Sequence, residues 1–417
     1  MQSLEVIGSN KLKGVIKISG SKNSSLPILA ASLLSNKKII LKNIPKVKDI
    51  DTMINLLESL GSKTNFKNNN LVINNQKQSE NFASYDLVKT MRAGILVLGP
   101  LLAKFGSAKV SLPGGCAIGT RPIDIHLKAL SKLGVKYKIK QGYVHAVAPK
   151  GLKGNEIYFS KISVGATENL IIAASLAKGV SILSNCAIEP EINDLINFLN
   201  KMGCKIRWIS KRKLKIVGVK NLQEIVYSVM FDRIEAGTYL IAAAITDGNL
   251  KIKNVNPKII KTEINILKKV GSKIKINKNE IQIAGGKKIN NINIKTAPYP
   301  GFPTDLQAQI MVLLCKAKKS SYIKEDIFEN RFMHVAELNR MGANISIKGN
   351  VASISGKTNF IGAELMATDL RASVSLVLAA LNAKGKSVIN RIYHLDRGYE
   401  DIEKKLKKVG AKIKRVY

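Results

Sequence analysis

The sequence lacks the features that mark membrane, secreted and metal-binding proteins. No apolar run approaches the ~18 residues of a membrane-spanning helix, so we expect no membrane insertion. The first residues lack a basic segment followed by an apolar one, which argues against secretion. The four cysteines form no C-x-x-C pair, and no histidine has a partner at metal-ligand spacing. These absences favour a cytoplasmic protein with reduced thiols and no metal.

Acidic residues are scarce, since 29 Asp and Glu stand against 67 Lys and Arg, a formal net charge of +38. Such an excess first suggests a nucleic-acid partner or an anionic surface. However, the basic residues are spread along all 417 positions, without a basic arm or a basic-aromatic block, and only 5% of residues are aromatic. We therefore expect a lysine-rich solvated surface and no specific nucleic-acid partner. A non-enzymatic nucleic-acid-binding role remains the alternative.

An apolar residue followed by glycine recurs at intervals of 68 to 73 residues. The glycines are Gly61, Gly134, Gly203, Gly271, Gly342 and Gly410. Each follows an amphipathic, helix-like stretch, where a glycine can accept the backbone conformation that ends a helix. Before that stretch come an Ala/Leu/Ile-rich helix and a β-branched strand, and after the glycine come alternating strands. The spacing predicts six α-β-α-β-β units, each with room for a preceding strand.

A polar cluster opens the first helix of every unit, 36 to 42 residues before its glycine. The clusters are Lys22-Asn23, Met91-Arg92, Ser163 to Thr167, Asp232-Arg233, Thr304-Asp305 and Asp369 to Arg371. Free N–H groups and the positive dipole end make a helix start an anion site, although such polar residues are also ordinary caps. Four clusters place Lys or Arg against the dipole, so we expect an anion to offset these cations.

Arginine is rare, with 11 Arg against 56 Lys, so its positions are informative. Arg92, Arg121, Arg331, Arg371 and Arg397 lie in or beside turns that precede helices. A guanidinium group offers a planar, bidentate fork that matches phosphate and carboxylate groups. Each arginine alone could form a structural salt bridge, but together they indicate anionic ligands.

One unit departs from the pattern by a Gly- and Pro-rich loop, residues 112–122, that contains Cys116. Arg121 and backbone amides give this thiol the electropositive, accessible setting in which cysteines are reactive. The alternative is an incidental free cysteine, although free cysteines usually lie in cores. We interpret Cys116 as functional and expect the other three cysteines, which lie in apolar segments, to be buried.

These segments resemble those of the UDP-N-acetylglucosamine 1-carboxyvinyltransferases, members of the enolpyruvyl transferase family. The resemblance is carried by residues 20–24, 113–126, 163–169, 300–305 and 396–398, in order along essentially the whole chain. It implies an α/β (α+β) fold, a two-domain inverse α/β barrel of six βαβαββ repeats with three per domain. Residues 22–229 would form one domain, and residues 1–21 with 230–417 the other, with the active site in the interdomain cleft.

The resemblance also implies a reaction. The enolpyruvyl group of phosphoenolpyruvate would pass to the 3′-hydroxyl of UDP-N-acetylglucosamine by addition and elimination, with release of phosphate, in the first committed step of peptidoglycan synthesis. No cofactor is expected, because phosphate departure drives the elimination. A sister enzyme of the same fold uses shikimate 3-phosphate as acceptor. That alternative explains the repeats and the arginines but not the cysteine loop.

Catalytic roles implied by the resemblance fall on Cys116, Asp305, Lys22 and Asn23. Cys116 would act as the acid toward C3 of phosphoenolpyruvate, as a nucleophile, or as both. Asp305 would accept the proton of the 3′-hydroxyl, although from the residues alone a plain N-cap is equally expected. Lys22 would bind phosphoenolpyruvate and Asn23 the sugar hydroxyl.

Further substrate-binding positions come from the same resemblance and from the arginine pattern. Arg121 and Arg397 match the family's phosphoenolpyruvate ligands, and Arg92 is another cation placed to help. Arg331 and Arg371 are anion-binding candidates from the arginine pattern alone. The uridine would contact Arg121, Pro122, Ile123, Asp124 and Ile125, the diphosphate Lys161, Ser163, Val164 and Gly165, and the sugar Ile327. His126, which follows the uridine segment, is expected to be structural.

Overall fold

The computed structural model describes residues 2–76, 80–114 and 123–417. The strands in this part of the chain are β1 (Ser3–Ile7), β2 (Lys13–Lys17), β3 (Ile39–Lys42), β4 (Lys63–Lys67), β5 (Asn70–Asn74), β6 (Phe82–Ala83), β7 (Ser107–Ser111), β8 (Lys136–Lys140), β9 (Tyr143–Val147), β10 (Glu156–Tyr158), β11 (Val180–Ser184), β12 (Lys205–Ser210), β13 (Lys213–Val217), β14 (Ile225–Ser228), β15 (Asn249–Lys253), β16 (Lys273–Asn277), β17 (Glu280–Ala284), β18 (Ile294–Lys295), β19 (Ser321–Lys324), β20 (Ile345–Lys348), β21 (Val351–Ile354), β22 (Glu364–Met366), β23 (Lys386–Asn390) and β24 (Lys412–Val416).

The α-helices of the same ranges alternate with these strands. They are α1 (Lys22–Ser32), α2 (Lys48–Ser59), α3 (Tyr85–Val88), α4 (Leu98–Phe105), α5 (Asp124–Lys132), α6 (Val164–Ala174), α7 (Pro190–Lys201), α8 (Arg233–Ile245), α9 (Lys261–Val270), α10 (Gln307–Cys315), α11 (Val335–Arg340), α12 (Leu370–Asn382), α13 (Tyr393–Asp396) and α14 (Ile402–Lys408). Two 3₁₀ helices, Arg92–Val97 and Thr304–Leu306, lead directly into α4 and α10.

The chain divides into two compact units. The first unit contains residues 20–114 and 123–230, and the second contains residues 2–19 and 231–417. The chain passes between them at residues 19–20 and 230–231. At the earlier passage only glycine fits, because a Cβ on Gly20 would lie 1.6 Å from the carbonyl oxygen of Asn43.

The described strands form six four-stranded sheets of one topology. The orders are β14-β3-β5-β4, β6-β7-β9-β8 and β10-β11-β13-β12 in the first unit, and β2-β15-β17-β16, β18-β19-β21-β20 and β22-β23-β1-β24 in the second. In every sheet the first pair is parallel and the other two are antiparallel. The prediction of six βαβαββ repeats, three per unit, is confirmed.

Three of these sheets are completed by strands that are remote in sequence. Strand β14 pairs with β3, with Ile225 opposite Ile39. Strand β2 pairs with β15, and β1 lies between β23 and β24. The glycine spacing could not reveal these strands, because each lies outside the chain segment of the repeat that it completes.

The helices differ in burial according to their place in the repeat. Nearly every residue of the first helices α1, α6, α8, α10 and α12 is buried. The second helices, such as α2 and α9, bury one face only. Each unit is therefore an inverse α/β barrel in which helices form the interior and sheets the exterior, since a helix that is apolar on all sides must be enclosed.

The six repeat glycines end the second helices as predicted. Their φ angles all lie between 93° and 113°, in a region that other residues rarely adopt. The glycine pattern in the sequence therefore reports a backbone requirement that recurs once per repeat.

Candidate active site

The polar clusters lie at helix starts, as the spacing predicts. Helices α1, α6, α8 and α12 begin at Lys22, Val164, Arg233 and Leu370, and the 3₁₀ helices begin at Arg92 and Thr304. Side chains cap four of these starts: Ser21, Ser163, Asp232 and Asp369 each accept a hydrogen bond from a backbone N–H of the first turn.

Lys22, the first residue of α1, is buried in the first unit. Its Nζ lies 3.0 Å from Oδ2 of Asp49 on α2, and only 9% of Lys22 and 5% of Asp49 are exposed. A buried ammonium group requires such a partner, because leaving it uncompensated costs several kcal/mol. Asn23, the next residue, is half-buried.

Asp194 on α7 lies behind this helix start and was not predicted. It accepts hydrogen bonds from the Ser24 hydroxyl, the Tyr227 hydroxyl at 2.6 Å and the backbone N–H of Met230 at 3.1 Å. Burial raises the pKa of Asp194, while these hydrogen bonds act to lower it. The carboxylate thus fixes α1 to the residue where the chain leaves the first unit.

The predicted uridine segment and diphosphate segment meet in the first unit. Asp124 begins α5, and a Cβ on Gly165 would lie 3.3 Å from Cε1 of His126. His126 is buried, with Nδ1 3.2 Å from Nδ2 of Asn169, as expected of a structural histidine. The close approach at glycine therefore brings the starts of α5 and α6 together.

Asp124 has unused hydrogen-bonding capacity. Its Oδ2 lies 3.5 Å from Nζ of Lys128, whereas the buried Oδ1 has no hydrogen-bond partner among the described residues. The neighbouring Ile123 is buried and Ile125 half-buried. An unsatisfied buried acceptor in a native structure calls for a donor, which a ligand can supply.

The start of α6 is capped by a side chain, and the residues around it are accessible to solvent. The Ser163 hydroxyl accepts a hydrogen bond from the Ala166 N–H at 3.3 Å. Lys161 and Val164 are exposed, and Gly165 is half-buried. Arg92, at the start of its 3₁₀ helix, is also half-buried. Cys116, Arg121 and Pro122 lie outside the described residues.

Asp305 occupies a two-arginine clamp in the second unit. Its Oδ1 lies 3.0 Å from Nη2 of Arg331 and its Oδ2 2.7 Å from Nη2 of Arg371. Both arginine side chains are 5% exposed and the aspartate is 25% exposed. Neither the 3₁₀ helix nor α10 has a side-chain cap, so the N-cap interpretation of Asp305 is wrong.

A buried hydroxyl orients one arginine of this clamp. Nη1 of Arg371 donates to the Tyr399 hydroxyl at 3.2 Å, which lies 2.9 Å from the Thr238 hydroxyl and accepts from Gln309 at 3.3 Å. Burial by itself would lower the pKa of Arg371, but the charge of Asp305 and other nearby groups raise it. Sequence reasoning missed Tyr399, because nothing distinguishes it from a core tyrosine.

Glu325 organises the segments beside the clamp. This buried carboxylate accepts hydrogen bonds from the Thr304 hydroxyl at 2.9 Å and the Ile327 N–H at 2.9 Å. Ile327 itself is 36% exposed. Arg397 follows α13 and is half-buried. The predicted residues Ile327, Arg331, Arg371 and Asp305 are thereby held by contacts within one unit.

The anion expected beside the first-turn cations is in three cases a side chain. Lys22 pairs with Asp49, Arg371 with Asp305, and Nη1 of Arg233 lies 3.8 Å from Oε1 of Glu263. A bound anion is therefore not needed to explain the cations at these three helix starts. A carboxylate on a neighbouring element suffices to offset the dipole.

The remaining cysteines are buried, as predicted. Burial raises the pKa of the Cys186 thiol to about 12, of Cys204 to about 11 and of Cys315 to about 12. No group of three or more metal-ligating side chains occurs among the residues described. None of the described helices has the length and apolarity needed to cross a membrane.

Comparison with known proteins extends over the whole chain. A family model described as EPSP synthase (3-phosphoshikimate 1-carboxyvinyltransferase) matches residues 6–406. The UDP-N-acetylglucosamine 1-carboxyvinyltransferase of Pelagibacter ubique (strain HTCC1062) is 77% identical over 100% of both chains. The protein of the same name from Helicobacter pylori (strain ATCC 700392 / 26695) is 53% identical, covering 100% of this chain and 99% of its own.

Solved structures share the fold at low identity. The enolpyruvyl transferase NikO from Streptomyces tendae has a TM-score of 0.90 at 23% identity, over 100% of this chain and 99% of its own. An EPSP synthase from Acinetobacter baumannii has a TM-score of 0.78 at 18% identity over 100% of both chains. The fold is thus common to several transferases, while the full-length match at 77% identity shows that the chain belongs to the UDP-N-acetylglucosamine 1-carboxyvinyltransferases, transferases of the enolpyruvyl transferase family.

Proposed function

We propose that the protein transfers the enolpyruvyl group of phosphoenolpyruvate to the 3′-hydroxyl of UDP-N-acetylglucosamine and releases phosphate, as the first committed step of peptidoglycan synthesis in the cytoplasm. The 77% identity over the whole of a relative with that activity in its name supports this most strongly. The EPSP synthase structures, which share the fold, are only 18% identical to this chain.

The reaction has an addition and an elimination. In the addition, the 3′-oxygen forms a bond to C2 of phosphoenolpyruvate, the hydroxyl loses its proton, and C3 gains one. In the elimination, C3 gives up a proton and the bond from C2 to the phosphate oxygen breaks. The protein must therefore supply a base for the hydroxyl, an acid for C3, and cations for the phosphate and carboxylate.

Asp305 is the proposed base. Its two carboxylate oxygens are positioned by Arg331 and Arg371 at 3.0 and 2.7 Å, and its side chain remains 25% exposed. Each guanidinium has five N–H donors, of which Asp305 and Tyr399 engage only a few. The remaining donors can hold the carboxylate or phosphate of phosphoenolpyruvate next to the base.

Lys22, Asn23, Arg92 and Arg397 are the proposed polar ligands of phosphoenolpyruvate and the sugar, together with Arg121. Cys116 is the proposed acid toward C3, or nucleophile, or both.

The nucleotide is proposed to lie against the starts of α5 and α6. Arg121 to Ile125 would contact the uridine, and Oδ1 of Asp124, which has no hydrogen-bond partner among the described residues, would accept a hydrogen bond from its base. Lys161, Ser163, Val164 and Gly165 would contact the diphosphate, which a capped helix start favours through its dipole. Ile327 would contact the sugar.

Phosphate release tests the proposal directly. Phosphoenolpyruvate is mixed with UDP-N-acetylglucosamine in one reaction and with shikimate 3-phosphate in another. Release only in the first supports the proposal, whereas release only in the second would assign the sister activity.

The thiol is tested by Cys116→Ser at neutral pH, with the buried Cys204→Ala as matched control. Turnover should fall at least about 100-fold in the first variant and persist in the second, while UDP-N-acetylglucosamine binding is retained in both. Unchanged turnover of Cys116→Ser would remove the thiol from the mechanism.

A further inference from the structure

One sheet of the first unit exposes a basic and aromatic surface. The register of β6-β7-β9-β8 places Phe82, Lys109, His145 and Lys138 in one row across the four strands. Tyr143 and Lys140 lie opposite each other in the row on one side of this row, and Lys136 lies in the row on its other side, opposite Val147. We call these seven residues the β8 face. All are exposed except Tyr143, which is half-buried.

The aromatic residues of the β8 face are held in place. The ring centroids of Phe82 and Tyr143 are 5.7 Å apart, and Nζ of Lys109 lies 4.9 Å from each. The Tyr143 hydroxyl accepts a hydrogen bond from the Tyr85 N–H at 3.2 Å. Phe82 is nevertheless 40% exposed. An exposed aromatic ring with fixed neighbours loses little freedom when a flat ligand stacks on it.

The charges of the β8 face are of one sign. Lys109 and Lys138 lie on either side of His145 in one row, and Lys136 and Lys140 are on the same strand as Lys138, so four lysines share one face of the sheet. Strands β7, β8 and β9 contain no Asp or Glu. Within the described ranges, no ion pair joins the four lysines of this face to a carboxylate. The β8 face therefore carries an excess of positive charge, which a polyanion can neutralise.

We propose that the β8 face binds single-stranded nucleic acid without base-specific recognition. Lysines that track phosphates and aromatic rings that stack on bases are the two elements of such binding, and a sheet that presents aromatic residues is an established platform for unpaired bases. A duplex offers no free base faces to Phe82 and Tyr143, and a phospholipid headgroup offers none at all.

This role is additional to the proposed enzymatic function, since no residue of the β8 face belongs to the candidate active site. Five of the seven residues lie within residues 136–145, which form the β8–β9 hairpin. The pairing of β7 with β6 and β9 adds Lys109 and Phe82, which the sequence places far from this hairpin.

The sheet β2-β15-β17-β16 provides the matched control. Its edge strand β16 carries the exposed Lys275 four residues after Gly271, as β8 carries Lys138 four residues after Gly134. Its four strands contain no aromatic residue. It therefore has comparable lysines without a stacking platform.

The test is fluorescence anisotropy of a labelled oligo-dT and oligo-U of about 15 nucleotides with the full-length protein. Phe82→Ala should weaken binding about 5- to 150-fold, and Lys138→Ala should reduce the salt dependence. With four phosphates contacted, the slope of log K against log salt should be about −3 for the wild type. Lys275→Ala should leave both unchanged, and all variants should retain phosphate release and the wild-type unfolding temperature.

Several outcomes would overturn the proposal. These are oligonucleotide binding that is equal in wild type and Phe82→Ala, tighter binding of a duplex of the same length, and weakening by Lys275→Ala as large as by Lys138→Ala. Inorganic polyphosphate bound as tightly as oligo-dT would show a purely electrostatic surface without stacking. Binding to phosphatidylglycerol vesicles without any binding to oligonucleotides would assign the face to a membrane surface instead.

Discussion

The two units use the same position of the repeat for opposite charges. In the first unit, α1 opens at Lys22, whose ammonium is paired with the carboxylate of Asp49. In the second unit, the 3₁₀ helix before α10 carries Asp305, whose carboxylate is paired with two guanidinium groups. A helix start can thus carry a charged group of either sign, and the neighbouring elements supply the partners of opposite charge.

Removing the carboxylate of the second unit should have the largest effect. Asp305→Ala should lower turnover about 100- to 10,000-fold, because the proposed base is lost. It would also lower the free energy of unfolding by about 1–3 kcal/mol, because Arg331 and Arg371 lose their counterion at a partly exposed site. Phosphate release and urea unfolding measure the two effects.

The control for this change is Asp247→Asn, which removes the charge of a half-buried carboxylate paired with Lys11 in the same unit and keeps a residue type that tolerates the positive φ of this position. It should change neither turnover nor stability by a measurable amount. Turnover of Asp305→Ala above a tenth of wild type would contradict the assignment of the base.

Removing the carboxylate of the first unit should chiefly affect stability. Asp49→Asn should lower the free energy of unfolding by about 1–3 kcal/mol, since the buried Lys22 keeps its charge and loses the charge of this carboxylate. Asp51→Asn is the matched control, because Asp51 lies on the same helix and pairs with Lys48 at 3.6 Å in an exposed setting. Its effect should stay below about 0.5 kcal/mol. Equal losses in the two variants would show that burial of the Lys22 pair is irrelevant.

Two buried glutamates, Glu168 in the first unit and Glu235 in the second, allow the units to be compared in the pH dependence of their stability. Burial and the charges of Glu191 and Glu189 raise the pKa of Glu168 to about 8. Burial also raises the pKa of Glu235, but its neighbour Lys405 acts to lower it, and the result is about 7. Glu168, which lies near two other carboxylates, thus has a less favourable charged form than Glu235, which lies beside Lys405.

The sign of the pH effect follows from the raised value. A folded-state pKa above the unfolded value of 4.5 means that the protonated Glu168 stabilises the fold fully below about pH 4.5. This stabilisation is lost as pH rises to about 8. Glu168→Gln should therefore be more stable than wild type by about 1–3 kcal/mol at pH 8, with a smaller difference at pH 5. Urea unfolding at both pH values measures this, and parallel profiles would contradict it.

The smallest expected effect concerns the hydroxyl that orients the clamp. Tyr399→Phe removes the hydrogen bonds to Arg371, Thr238 and Gln309, and should lower the free energy of unfolding by about 1 kcal/mol. The KM for phosphoenolpyruvate should rise more than kcat falls, because Arg371 is less well positioned. Tyr393→Phe, at a residue that is 53% exposed, is the control. A kcat effect with unchanged KM would indicate a role in the chemical step instead.

The sequence predicted the repeat because the repeat rests on local backbone requirements. Gly61 and Gly342 must adopt positive φ, so their spacing survives in the amino-acid order. The helix starts at Lys22 and Arg371 were equally visible, since charged residues at the positive end of a helix stand out. Buried cysteines were recognisable from their apolar surroundings.

The charge partners were not predictable, because they depend on contacts between distant segments. Asp49 lies 27 residues from Lys22, and Arg371 lies 66 residues from Asp305. A weak signal existed for Asp49, which falls on the buried face of an amphipathic helix. For Tyr399 and Asp194 there was none. The resemblance named residues for substrates but not the side chains that position them.

The way β1, β2 and β14 complete distant sheets has a consequence for folding during synthesis. The last strand of the first unit, β14, ends at Ser228, so all of the described strands of this unit are available before residues 231–417 of the second unit are translated. In contrast, β1 must wait for β24, some four hundred residues later on the ribosome. Because domains fold largely in the order in which they emerge, the leading segment should be the last part of the chain to find its partners.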